Sequence, residues 1–166
     1  MKDVKKLTLA AVLTAVACGV IFAGGLIPTG RLAVAAVACL AITAVCIECG
    51  KLYGLLAYVA SAVIVLLLAP SKPVACVYAV FFGLYPIVKA VAEGVKSRVW
   101  EHTIKVGFTT VAYWLLVLGA RLFFEFEPKI EIVLPFWIAC CVVAMIFDVA
   151  LSQLISFYIS RISRRR

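Results

Sequence analysis

Long apolar runs set the terms on which this chain can fold. Stretches of roughly 20 residues recur along its length, and a helix of about that length crosses the ~30 Å hydrocarbon core of a bilayer. Hydrophobic residues make up 66% of the 166 positions and charged residues 14%, against about 25% charged in a typical soluble domain. A water-soluble core has no room for so much apolar surface in so short a chain. In hydrocarbon, backbone polar groups must bond within their own segment, so continuous runs of this length read as helices. The expected fold class is all-α: a polytopic integral membrane helical bundle, read as one transmembrane domain over 1–166.

Turn chemistry divides the runs into six spans, at 7–27, 32–49, 52–69, 74–95, 106–124 and 132–159. Pro28-Thr29-Gly30 ends the first, and Gly50-Lys51 separates the second from the third. Pro70-Ser71-Lys72-Pro73 closes the third. Pro86 lies inside the fourth, where a kink is expected. Lys96–Lys105 and Glu125–Glu131 read as polar loops. The sixth span is long enough to tilt, or to leave the bilayer before its basic tail.

The charges give the spans a direction. With the N-terminus inside, twelve basic residues fall on the inner side: Lys2, Lys5, Lys6, Lys51, Lys89, Lys96, Arg98, Lys105, Arg161, Arg164, Arg165 and Arg166. Four fall outside: Arg31, Lys72, Arg121 and Lys129. Cytoplasmic loops carry the excess of Lys and Arg, so both termini are expected in the cytoplasm of a multi-pass membrane protein. The net charge of +8 is accounted for in this way. There is no basic groove with interleaved aromatics, so nucleic acid is not an expected partner; the lipid bilayer is.

Chemistry-bearing residues are few. A charge inside hydrocarbon is costly and marks a candidate site. Asp148, near the middle of span six with Ser152 one turn on, reads either as a substrate or ion contact or as a structural pair or protonated acid. Lys89 and Glu93, and Arg121 and Glu125, stand at i, i+4 and can pair; Lys89 is near enough to the inner end to snorkel. Arg31 can anchor an anion or a lipid headgroup. Tyr78 and Trp137 fit an aromatic belt at the outer interface or the wall of an apolar pocket. Ala11, Ala15 and Gly19 make a small-residue stripe at four-residue spacing, suited to packing within the bundle or to docking a second membrane protein.

All seven cysteines (Cys18, Cys39, Cys46, Cys49, Cys76, Cys140 and Cys141) lie in or at the ends of apolar runs. They read as small hydrophobes rather than a disulfide framework. Cys46-Ile47-Glu48-Cys49 is a CxxC, but it sits at a helix C-terminus beside an acid, the wrong end for a low-pKa thiol. With His102 the only histidine, no metal set is expected. The sequence contains no HExxH, GxSxG, P-loop or strand-borne GxGxxG. The expectation is a non-enzyme without a cofactor.

In size, in its six spans, in the basic start Lys5-Lys6-Leu7-Thr8-Leu9-Ala10-Ala11 and in the stripe Ala11, Ala15, Gly19, the chain resembles the substrate-binding S components of energy-coupling-factor vitamin transporters. That resemblance implies that the first helix docks on a transmembrane coupling subunit and that ATPases on other chains supply energy. It also implies that the segment at Pro28-Thr29-Gly30-Arg31 helps cover a ligand. Carried over, the pocket would draw on Arg31, Tyr78, Arg121, Trp137 and Asp148. The segment Phe82–Lys89 is similar to one in membrane proteins of Gram-positive bacteria. Two other readings stand beside it. A non-catalytic scaffold of the MreD type in cell-envelope assembly would be a closed bundle. A membrane thiol oxidoreductase would need Cys46 and Cys49 close and accessible.

Overall fold

The computed structural model describes residues 2–26, 30–94, 97–124 and 130–163. They form α1 (Lys2–Gly25), α2 (Arg31–Glu48), α3 (Lys51–Leu68), α4 (Lys72–Val77), a π-helical turn (Tyr78–Phe82), α5 (Tyr85–Ala92), α6 (Arg98–Phe124) and α7 (Ile130–Ser163). No strand occurs among the described residues. Taking α4, the π-turn and α5 as one crossing, six helical segments are long and apolar enough to span a membrane. The chain divides into two compact units, 1–108 and 109–166, with the division inside α6.

In the first unit α1, α2 and α3 pack on one another and on the broken crossing that follows. Lipid is as apolar as the side chains, so helices associate through close van der Waals packing rather than by escaping water. The core is built accordingly from small residues: Ala10, Ala17 and Cys18 of α1 meet Ala35, Ala38 and Ile42 of α2. The close approach of α3 to α2 rests on Gly54, where a Cβ would collide with the Cys46 thiol. Buried Thr14 and Thr43 satisfy their hydroxyls within their own helices, on the carbonyls of Ala10 (2.7 Å) and Cys39 (2.8 Å).

Contacts at the ends of the helices show that they run up and down. The Cys49 thiol, at the α2–α3 turn, lies 3.3 Å from the Lys6 carbonyl near the start of α1. At the opposite end a Cβ on Gly25 would stand 2.7 Å from the Pro70 ring, which brings the end of α1 to the α3–α4 link. The two-residue turn between α2 and α3 is possible because Gly50 takes φ +104°, a conformation L side chains rarely adopt.

The helices differ from the apolar runs in extent. α6 begins at Arg98, so 98–105, expected in a polar loop, is helical; Glu101 and Lys105 pair along it at 2.6 Å. The expected kink at Pro86 is instead a break. α5 starts at Tyr85, and Pro86 lies in its first turn, where a missing N–H leaves no intrahelical bond unmade. Pro28, Thr29, Lys96, Glu125, Glu127, Pro128, Lys129 and Arg164–Arg166 lie outside the described residues, as does the side chain of Glu131.

In the second unit α6 and α7 meet where the Tyr113 hydroxyl donates to the Val133 carbonyl (2.8 Å). α7 shelters a narrow stripe (Val133, Trp137, Cys140, Ala144, Asp148, Leu151) at steps of three or four residues, and most of its remaining described surface is exposed. One buried face and an apolar exposed remainder is the pattern of a helix whose outer surface meets lipid.

Candidate functional site

The most heavily bonded polar feature of the first unit is the break in the fourth crossing. At an α-helical spacing the Gly83 N–H would donate to Ala79. It reaches one residue further, to the Tyr78 carbonyl, at 2.7 Å. That five-residue step is the π-turn, a device that recurs at functional sites. It leaves the Ala79 carbonyl without its helical donor, a costly state away from water. The Tyr58 hydroxyl of α3 supplies the bond at 2.8 Å.

Two more side chains complete the arrangement. Ser61 donates to the Tyr58 carbonyl (2.9 Å). A hydroxyl has one proton, so the 2.8 Å bond between Ser61 Oγ and the Tyr78 hydroxyl is donated by Tyr78. Ser61 and Tyr78 are fully buried. The Tyr58 ring lies across the turn because residue 83 is glycine; a Cβ there would stand 2.8 Å from the ring. Further along the same pair of segments, Lys72 Nζ donates to the Leu66 and Leu67 carbonyls, both at 3.0 Å, satisfying acceptors that α3 leaves open at its C-terminus. One helix, α3, thus holds the broken crossing at three levels.

Towards the end where α5 finishes, Phe81, Tyr85 and Phe108 cluster with ring centroids 5.3–6.2 Å apart. One turn past Tyr85 is Lys89, only 1% exposed, whose ammonium lies 2.9 Å from Glu93 at the helix end. Lys89 therefore does not snorkel. Its stem is enclosed, and Glu93, half exposed, comes to it.

The residues named from the sequence are distributed over both units. Arg31 is exposed in the first turn of α2. Tyr78 is a core residue, so the aromatic-belt reading is corrected: its ring is enclosed and its hydroxyl is engaged by Ser61. In the second unit Arg121 is exposed in the last turn of α6. Trp137 is half-buried, and its buried indole N–H meets no acceptor among the described residues. Asp148 is buried on the α7 stripe, and Ser152 bonds its backbone carbonyl at 2.9 Å. Trp137 and Asp148 share a face of α7 but stand three turns apart, about 16 Å at ~1.5 Å per residue. Ala11, Ala15 and Gly19 are exposed on a flank of α1, outside its packing face, and the space beside Gly19 is open. The ordinary packing expected of a small-residue stripe falls instead to Ala10, Thr14, Ala17 and Cys18.

The CxxC is a packing element. Cys46 touches α3 at Gly54, and Cys49 is 6% exposed with its thiol against the Lys6 carbonyl. Burial raises the Cys49 thiol above its ordinary pKa; Lys6 opposes the shift and Glu48 adds to it. That is opposite to what a thiol nucleophile needs.

Sequence reasoning passes over Tyr58 and Ser61. The signal was there: two hydroxyls one turn apart in an otherwise apolar span each need a partner, and the next span carries Gly83 and Pro86. No family model matches the chain, and no curated protein or solved structure shows significant similarity to it.

Proposed function

We propose that the chain is the substrate-binding subunit of a small-molecule transporter of the vitamin or micronutrient type, of the S-component kind. It sits in a bacterial plasma membrane with both termini in the cytoplasm, and separate partner chains energise it. The observation that carries this reading is the exposed face of α1. Ala11, Ala15 and Gly19 present a smooth strip on the side of the helix that the bundle does not use, and such strips let a second helix approach closely in lipid. The break in the fourth crossing supports it as well, because interrupted helices are where transporters build binding sites. On the ligand side, the Trp137 N–H, which meets no acceptor among the described residues, is a donor that a substrate oxygen would complete.

The test is native mass spectrometry of the gently purified chain beside Ala15→Leu and Gly19→Leu. The expected result is a bound small molecule together with ATP-hydrolysing partners. The leucine variants lose the partners at least tenfold while melting as the unchanged chain does, since neither position packs inside. A chain that carries neither small molecule nor ATPase overturns the reading. Partners without a small molecule favour the MreD-like scaffold, a reading to which the complete enclosure of Tyr78 lends support.

A further inference from the structure

We infer that the fourth crossing is a two-register switch, with the Tyr58 hydroxyl as its latch. The inference does not depend on the transport reading. The π-turn has a neighbouring state that needs no new residues. If Gly83 N–H moves from the Tyr78 carbonyl to the Ala79 carbonyl, the turn closes to the regular α spacing. In the observed register the Ala79 carbonyl is occupied by Tyr58 (2.8 Å) and the Gly83 N–H by Tyr78 (2.7 Å). In the other, Gly83 and Ala79 satisfy each other and Tyr58 is released. Each register leaves both backbone groups bonded, which apolar surroundings require. A third arrangement, with the π-turn kept and Tyr58 withdrawn, orphans the Ala79 carbonyl and is disfavoured. Tyr58 and the turn therefore change together.

The consequence is directional. Closing the turn removes one residue's worth of helix, about 100° of rotation at 3.6 residues per turn. With α5 as reference, each residue before the turn takes its predecessor's place. Ala79 moves to the position of Tyr78, Tyr78 to that of Val77, and Cys76 to that of Ala75. Tyr78 thereby leaves Ser61 and its enclosed position for a half-exposed one. Ser61 keeps its bond to the Tyr58 carbonyl. What has to move is short: α4 has six residues, tied to α3 by Lys72 on two carbonyls and set in the core by Val74 and Ala75. On the far side α5 is held by the buried Tyr85 and Lys89. The element is bistable, biased by one hydroxyl.

The experiment labels the six tyrosines of the full chain with 3-fluorotyrosine in micelles. It reads ¹⁹F broadening by a nitroxide-bearing stearate, with signals assigned by Tyr→Phe substitution. In the unchanged chain Tyr78 and Tyr85 are both shielded. Tyr58→Phe removes the latch without removing the ring. Gly83→Ala reaches the same end by a separate route, driving the ring off the turn. The expected result in either variant is a severalfold gain in broadening at Tyr78 with Tyr85 still shielded. If Tyr78 stays shielded in both variants, or loses shielding only together with Tyr85, the switch is overturned.

Discussion

Ser61 and Tyr78 show how much a single proton decides in this molecule. Ser61 spends its hydrogen on the Tyr58 carbonyl, so Tyr78 has to be the donor in their mutual bond. The two deletions are therefore unequal. Ser61→Ala strands a buried phenol, a loss of about 1–3 kcal/mol. Tyr78→Phe strands nothing and costs about 0.5–1.5 kcal/mol, the net worth of one hydrogen bond. In the double variant no phenol is left to strand, so it unfolds close to Tyr78→Phe alone. Thermal or denaturant unfolding in mild detergent reads the three values. Equal losses for the two single variants would contradict the assigned direction of donation. Tyr78 was legible in the sequence as an aromatic near one end of a span. Its role was not, because Ser61 is seventeen residues away and only the hairpin of α3 with the fourth crossing brings them together. Lys89 is similar. Its pairing with Glu93 follows from helical spacing, whereas its enclosure depends on what packs around α5.

Among the elements, α2 and α3 illustrate close packing through missing atoms. Their approach leaves no room for a Cβ at residue 54, because the Cys46 thiol fills it. Gly54→Ala is expected to destabilise the bundle by about 1–3 kcal/mol, the usual cost of overpacking. Cys46→Ala in the same chain should restore most of that loss. Failure of the second change to rescue the first, in a melting experiment on the four combinations, would place the clash elsewhere. The same pair shows how the CxxC is used in packing: the Cys46 sulfur fills the space between the two helices, and the Cys49 thiol lies against the Lys6 carbonyl of α1. The spans themselves were legible from apolar length and turn residues, and the short α2–α3 turn from Gly50. The run of α6 back to Arg98 was not, because polar residues at a helix end look like a loop unless Glu101 and Lys105 are known to pair along it.

For the whole molecule, the alternation of helix ends in the first unit and the split of basic residues lead to one topological expectation. Alkaline phosphatase fused to either terminus should be inactive in a bacterial host, and green fluorescent protein fused to either should fluoresce. Alkaline phosphatase active at one end would remove the arrangement with both termini inside. α7 bears on the same point. Its 34 residues amount to roughly 51 Å at ~1.5 Å per residue, well beyond the ~30 Å of hydrocarbon. A helix of that length set across a bilayer would have to tilt or to extend past the hydrocarbon, and Arg161 in its last turn would suit a headgroup region rich in anionic lipid.

Apolar length and charge placement come from the one-dimensional order of residues. For that reason the all-helical class, the six membrane-length segments and the expected direction of crossing are legible in the sequence alone. Burial, partnership and exposure depend on which face of a helix meets which neighbour, and that is a property of packing. Only the tertiary structure decided that Tyr78 is enclosed, that the proline crossing breaks into a π-turn held by Tyr58, and that Ala11, Ala15 and Gly19 face away from the bundle. For Tyr78 and the π-turn the physical reason is the same. In an apolar solvent a polar group needs a partner inside the protein, and for Tyr58 and Tyr78 that partner is on another helical segment.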